Sequence, residues 1–195
     1  MKEKKSFIAM AKLGVILALY AAAACVGLAF VYAGTIEKIE ENSQQTLNNA
    51  LKELFPYAES FNPIEGISSS NPAVIIEAGS SFEVIQNNNV IGLALRTSRS
   101  SYSGPIKLLV GIGVDNTIKG IKVLENIDTP GLGANASKPQ FYSQFAGKSV
   151  NDPFIPKQDV DAITAATITT TAVSDSVKTA GIAAMTWFAD TRGNR

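Results

Sequence analysis

The chain has 195 residues, 46% of them hydrophobic, with 17 basic and 17 acidic side chains and a formal net charge of 0. That length suits one modest domain plus a further segment, and the charge balance offers no basic face for nucleic acid. Histidine is absent and Cys25 is the sole cysteine, which excludes a Ser-His-Asp triad, a haem held by a proximal histidine, the common histidine or thiolate metal sites and an iron–sulfur cluster.

Residues 1–12 are basic, with Lys2, Lys4, Lys5 and Lys12 against Glu3. Residues 13–33 then run apolar and uncharged, long enough to cross a bilayer as a helix. Glu37, Lys38, Glu40 and Glu41 follow. By the positive-inside rule the N-terminus is cytoplasmic and everything after the span is extracytoplasmic, in a cytoplasmic (inner) membrane protein crossing once. A cleaved leader could use Ala22-Ala23-Ala24 as its small-residue site, but apolar residues continue well past it. A lipoprotein site at Cys25 fits poorly, because Ala22 stands where a larger aliphatic is usual. The preferred reading is an uncleaved anchor in the lipid bilayer. Cys25 is then mid-span, and the domain beyond it has no disulfide.

Residues 34–60 form a juxtamembrane segment, read as a helix over 35–55 with Ile36, Ile39, Leu47, Leu51 and Leu54 as its apolar positions, Thr35 as an N-cap and Pro56 as its stop. Residues 61–195 form the outer domain. Residues 57–72 read as irregular, with Pro63, Gly66 and Pro72. Short strands follow at 74–76 and 82–85, with Asn87-Asn88-Asn89 as a turn. Residues 90–97 and 106–114 read as longer strands separated by a polar loop holding Tyr102. The turn Asp115-Asn116 brings 117–124 back as a hairpin. This is an α+β pattern, an antiparallel sheet flanked by helices.

Asp128-Thr129-Pro130-Gly131-Leu132-Gly133-Ala134 mimics a dinucleotide fingerprint through Gly131, Gly133 and Ala136. The preceding strands are hairpin-linked and no parallel βαβ unit is readable, so that match is rejected. The residues alone read as a Pro-Gly turn. Residues 139–147 read as a short helix whose Phe141, Tyr142 and Phe145 belong to the core.

The last part opens with Asp161-Ala162-Ile163-Thr164-Ala165-Ala166-Thr167, followed by Ile168 and three more threonines. From Val173 the apolar positions Val177, Ala180, Ala184 and Phe188 recur at helical spacing. The hydroxyls of Thr164, Thr167, Thr169, Thr170 and Thr171 therefore gather where a long helix begins. On the residues alone the preferred reading is a well-capped helix, with a seat for an anion as the other.

Asp161-x-x-Thr164-Ala165-Ala166-Thr167 resembles the flavinylation signature of the FMN-binding domain family, written D-x-x-[ST]-G-A-T. The loop Thr129-Pro130-Gly131-Leu132-Gly133 and the segment Ser101-Tyr102-Ser103-Gly104-Pro105 match the same family, which usually has Glu at the position of Asp128. The resemblance is strongest to the G subunits of Rnf electron-transport complexes, followed by the C subunits of sodium-pumping NADH:quinone oxidoreductases. It implies FMN held covalently by a phosphoester to Thr167, installed by a flavin transferase from FAD. Thr164, Ala165 and Ala166 complete the motif, and Asp161 helps the transferase to recognise it. Thr129, Pro130, Gly131, Leu132, Gly133 and Tyr102 are the implied neighbours of the isoalloxazine ring. The implied function is one-electron relay among the membrane subunits of an ion-translocating ferredoxin:NAD+ oxidoreductase. The chain would be an electron-transfer subunit of that translocase, not catalytic alone. The C subunit of the quinone reductase, or an anchored scaffold or sensor domain without flavin, remains an alternative. One position departs from the signature: Ala165 stands where Gly is usual, and is strained there if the backbone needs φ > 0.

Overall fold

The computed structural model describes residues 2–77 and 79–193, with side chains described for 10–77 and 79–191. The side chains of Lys2, Lys4 and Lys5, which enter the orientation expectation, lie outside that range. Two compact units are present, Met1–Gln45 and Thr46–Arg195.

One helix, α1, runs Lys2–Leu54. The sequence suggested a separate juxtamembrane helix capped by Thr35, but the structure continues through that point. Thr35 Oγ1 donates back to the Val31 carbonyl at 2.8 Å, as a threonine inside a helix does. Between Gly34 and Pro56 nothing in the sequence stops the helix, and exposed pairs such as Lys38–Glu41 at 2.7 Å support its surface. The apolar stretch of α1 is long enough to cross a membrane, and none of it is buried within the protein. Leu13, Leu17, Leu28 and Phe30 are all exposed, which in water would be an unusual apolar surface. Ile36 and Ile39 are exposed too, whereas Leu47 and Leu51 are buried.

Six strands follow: β1 Ser60–Ile64, β2 Val74–Ile76, β3 Ser81–Gln86, β4 Asn89–Ser100, β5 Pro105–Gly113 and β6 Ile118–Glu125. They form one antiparallel sheet in the order β1-β3-β4-β5-β6, with β2 pairing the far end of β4. Asn87 and Asn88, at φ +50° and +60°, make the tight β3–β4 turn. β1 lies in a stretch expected to be irregular. It is an edge strand with only Ile64 buried, so it tolerates Pro63 and shows no apolar alternation. β4 extends to Ser100 and shortens the expected polar loop, because Arg99 pairs across to Ile106 and bonds outward to the last helix.

The sheet has a core on each face. Leu93, Leu95, Leu108 and Val110 point to one side, with Phe145 and Phe154 and the helix α3, Thr167–Gly193. Ala94 and Leu109 point to the other, against Leu47, Ala50, Leu51 and Phe55. This is the period-two alternation of a sheet covered on both faces. The α3 positions picked out by spacing, Val173, Val177, Ala180, Ala184 and Phe188, are all buried. Between β6 and α3 lie a 3-10 turn at Gly133–Ser137, the short helix α2 at Pro139–Tyr142 and a second 3-10 turn at Ser143–Phe145. Phe141 and Phe145 are core residues as expected.

Candidate functional site

The loop leaving β6 is built by its own side chains. Asn126 Oδ1 accepts the Asp128 N–H at 3.0 Å, and its Nδ2 donates to the Gly133 carbonyl at 3.1 Å. Thr129 to Leu132 is a type II turn, closed by the Leu132 N–H on the Thr129 carbonyl at 3.1 Å. Pro130 presets its second position, and Gly131 supplies φ +80° at the third. Gly133 allows close approach: a Cβ there would stand 2.6 Å from both Asp128 Cβ and Thr169 Oγ1.

The start of α3 is fixed with equal care. Thr170 Oγ1 donates to the Ala166 carbonyl and accepts the Ile163 N–H, both at 3.0 Å. Arg99 reaches from β4 to the Thr171 carbonyl at 3.0 Å and to the Asp175 carboxylate. Ala165 sits at φ +58°, a left-handed conformation that is strained for an L-residue and open to the Gly usual in the signature. Thr167 is the first residue of the helix, and its side chain is exposed.

These two segments meet, with the β4–β5 loop, around a cavity of about 570 Å³. Of the sequence-derived candidates, Tyr102, Thr129, Leu132, Gly133, Ala165, Ala166 and Thr167 line it. Pro130 and Gly131 shape the turn behind Leu132. Thr164 is exposed in the turn before the helix. Asp161 opens instead onto a neighbouring groove of about 420 Å³ with Lys138 and Gln144.

Three wall residues went unassigned by sequence reasoning: Asp128, Ile168 and Thr169. Asp128 is 4% exposed. Its Oδ2 accepts the Ser101 hydroxyl at 2.5 Å and the Thr169 hydroxyl at 2.7 Å, and Oδ1 accepts the Ser103 N–H at 2.7 Å. Burial alone would push this carboxyl up. The hydrogen bonds from Ser101, Thr169 and the backbone of Ser103 and Tyr102 prevail and hold it below the ordinary carboxylate range. Asp128 thus joins the β4–β5 loop, the turn loop and the first turn of α3. The only sequence signal for this role was an acidic residue just before a Pro-Gly turn.

The cavity suits FMN on its own geometry. Its volume is that of an ordinary cofactor pocket. Tyr102, Ile168 and Leu132 offer apolar surface at its mouth, being 72%, 56% and 40% exposed. The start of a 27-residue helix presents N–H groups without intrahelical acceptors beside the exposed Thr167 hydroxyl, an arrangement that suits a phosphate.

Residues 101–181 match the FMN-binding domain, and residues 1–54 match the RnfG N-terminal region. The G subunit of the ion-translocating oxidoreductase complex of Methanosarcina acetivorans is 34% identical, covering 87% of this chain and 91% of that protein. The G subunit of the Na(+)-translocating ferredoxin:NAD(+) oxidoreductase complex of Acetobacterium woodii is 33% identical over 85% of this chain and 87% of its own length. For the G subunit of the proton-translocating complex of Clostridium ljungdahlii the figures are 30%, 78% and 80%. The crystal structure of Shewanella oneidensis NqrC superposes with a TM-score of 0.49 at 20% identity, over 68% of this chain and 75% of that one. On the identity and coverage of these relatives, the chain belongs to the family of G subunits of ion-translocating Rnf-type oxidoreductase complexes and carries that family's FMN-binding domain.

Proposed function

We propose that this protein is a membrane-anchored flavoprotein that relays electrons between neighbouring subunits of a ferredoxin:NAD+ oxidoreductase complex, through FMN joined by its phosphate to Thr167 Oγ1. One observation carries the assignment of the attachment point. Among the hydroxyls in the first turn of α3, that of Thr167 lies exposed in the cavity wall, whereas Thr169 and Thr170 are buried and committed to Asp128 and to the backbone. The linkage would form when a flavin transferase lets the Thr167 oxygen displace AMP from the flavin phosphate of FAD, the hydroxyl proton passing to a base on the transferase.

The bound flavin supplies the ability to accept and pass on electrons, which this chain's side chains lack. The residues do the rest. Thr167 fixes the phosphate end, and the first N–H groups of α3 offset its charge. Tyr102, Leu132 and Ile168 would give the ring an apolar bed, with the 129–133 turn beside it. A covalent tether keeps the cofactor at very high effective concentration, which suits a domain outside the cytoplasm. The lysines before the span and the acidic residues after it support that orientation. The relatives' names differ in the ion, Na+ or proton, so the ion is not carried over. Groove residues Asp161, Lys138 and Gln144 are the surface we assign to the transferase.

Thr167→Val keeps the shape and removes the hydroxyl. It is expected to fold, insert and join its complex, to show no flavin fluorescence in a denaturing gel, and to stop electron flow through the complex. Fluorescence retained in that variant would show the attachment point to be elsewhere. Fluorescence lost with electron flow unchanged would remove the relay role.

A further inference from the structure

Asp128 does more than the flavin assignment asks of it. It is the only charged side chain lining the cavity among the described residues. Its hydrogen-bond partners are neutral: two hydroxyls and backbone N–H groups. Arg99, on β4 ahead of Tyr102, is engaged with Asp175 and the Thr171 carbonyl on α3, and Lys122 on β6 is paired with Glu53. The carboxylate is thus solvated by dipoles and not cancelled by a counter-ion. Those dipoles keep it ionised, and burial keeps water from screening it. A charge in a wall of this kind acts on whatever occupies the cavity.

The occupant of the proposed function changes charge during its work. Adding two electrons and one proton to a neutral isoalloxazine leaves it one unit more negative. A fixed carboxylate in the wall would disfavour that product. We propose that Asp128 sets the potential of the flavin bound in this cavity, holding it more negative than a neutral wall would. The inference rests on the FMN reading of the site. Ser101, Thr169 and the Ser103 N–H are, on this view, the groups that keep the charge in place.

The test is a reductive titration of the full-length flavinylated protein with dithionite and mediator dyes, reading the midpoint potential. Asp128→Asn and Asp128→Ser both remove the charge; the serine leaves room for water and avoids an amide N–H facing the Ser103 donor. Asp128→Glu keeps the charge. Thr169→Val keeps the charge and removes one strut of the wall. The expected result is a positive shift in both neutral variants, with Asp128→Glu and Thr169→Val close to the parent. A neutral variant that holds flavin at the parent's potential overturns the proposal. So does a Thr169→Val shift as large as that of the neutral variants, since wall loosening would then explain both. Failure of both neutral variants to fold, with Asp128→Glu normal, would leave the residue a purely structural role and also overturns it. If the parent itself takes up no flavin, the reading of the site as an FMN site is what fails.

Discussion

Ala165 holds φ +58° just ahead of the first turn of α3. An L-residue pays for that conformation through contact of its Cβ with the carbonyl that follows, about 1–2 kcal/mol. Glycine avoids the clash but adds freedom to the unfolded chain, so Ala165→Gly should stabilise the protein by roughly 0.5–1 kcal/mol. Denaturant titration reads this directly, and flavin uptake should be at least that of the parent. A less stable glycine variant would mean that the Ala165 methyl makes a packing contact worth more than the strain. Asp128 gives a prediction in pH. Its folded pKa is depressed, so its contribution is full above the ordinary carboxyl range and is lost as pH falls through the lowered value. Stability should decline over that acidic window in the parent and show a shallower decline in Asp128→Asn. Parallel curves for the two proteins would show that the carboxylate contributes nothing through its charge.

At the scale of elements, the start of α3 is where local chemistry decides most. Thr170 makes two hydrogen bonds from a fully buried position. Thr170→Val leaves the Ile163 N–H without its acceptor and should cost about 1–2 kcal/mol, while covalent flavin is retained because Thr167 is untouched. Loss of the flavin in that variant would implicate Thr170 in attachment. The same helix was legible in the sequence, since one face of it repeats at 3.6 residues and is buried in the structure. So were β4 and β5, whose alternation places Leu93 and Leu95 on one face and Ala94 on the other. β1 was not, because an edge strand with one buried residue carries no alternation and Pro63 argues against a strand. The continuity of α1 was hidden by Thr35, whose capping preference is local while its bond to Val31 depends on the helix already being there. Of the residues that line the cavity, Thr129, Leu132, Gly133 and Thr167 were singled out from short motifs. Asp128 and Thr169 needed the fold, because what brings them together in the cavity wall is a contact between residues 41 positions apart.

Across the whole molecule, the chain divides into Met1–Gln45 and Thr46–Arg195, and the second unit holds both cores and the cavity. Glu53 at the end of α1 pairs with Lys122 of β6 at 2.5 Å, so the last turns of α1 belong to the folded domain. With the span oriented by its lysines, a protease added outside the sealed cytoplasmic membrane should degrade the domain and spare the first residues. Full protection of the domain would reverse the orientation. Whether Thr167 carries FMN is read from the mass of one peptide. Trypsin should release residues 158–178, bounded by Lys157 and Lys178, from the full-length protein coexpressed with a flavin transferase. This peptide is expected to gain the mass of FMN less one water, with fragmentation placing the added group on Thr167. An unmodified peptide, or the same mass on Thr164, Thr169, Thr170 or Thr171, would contradict it.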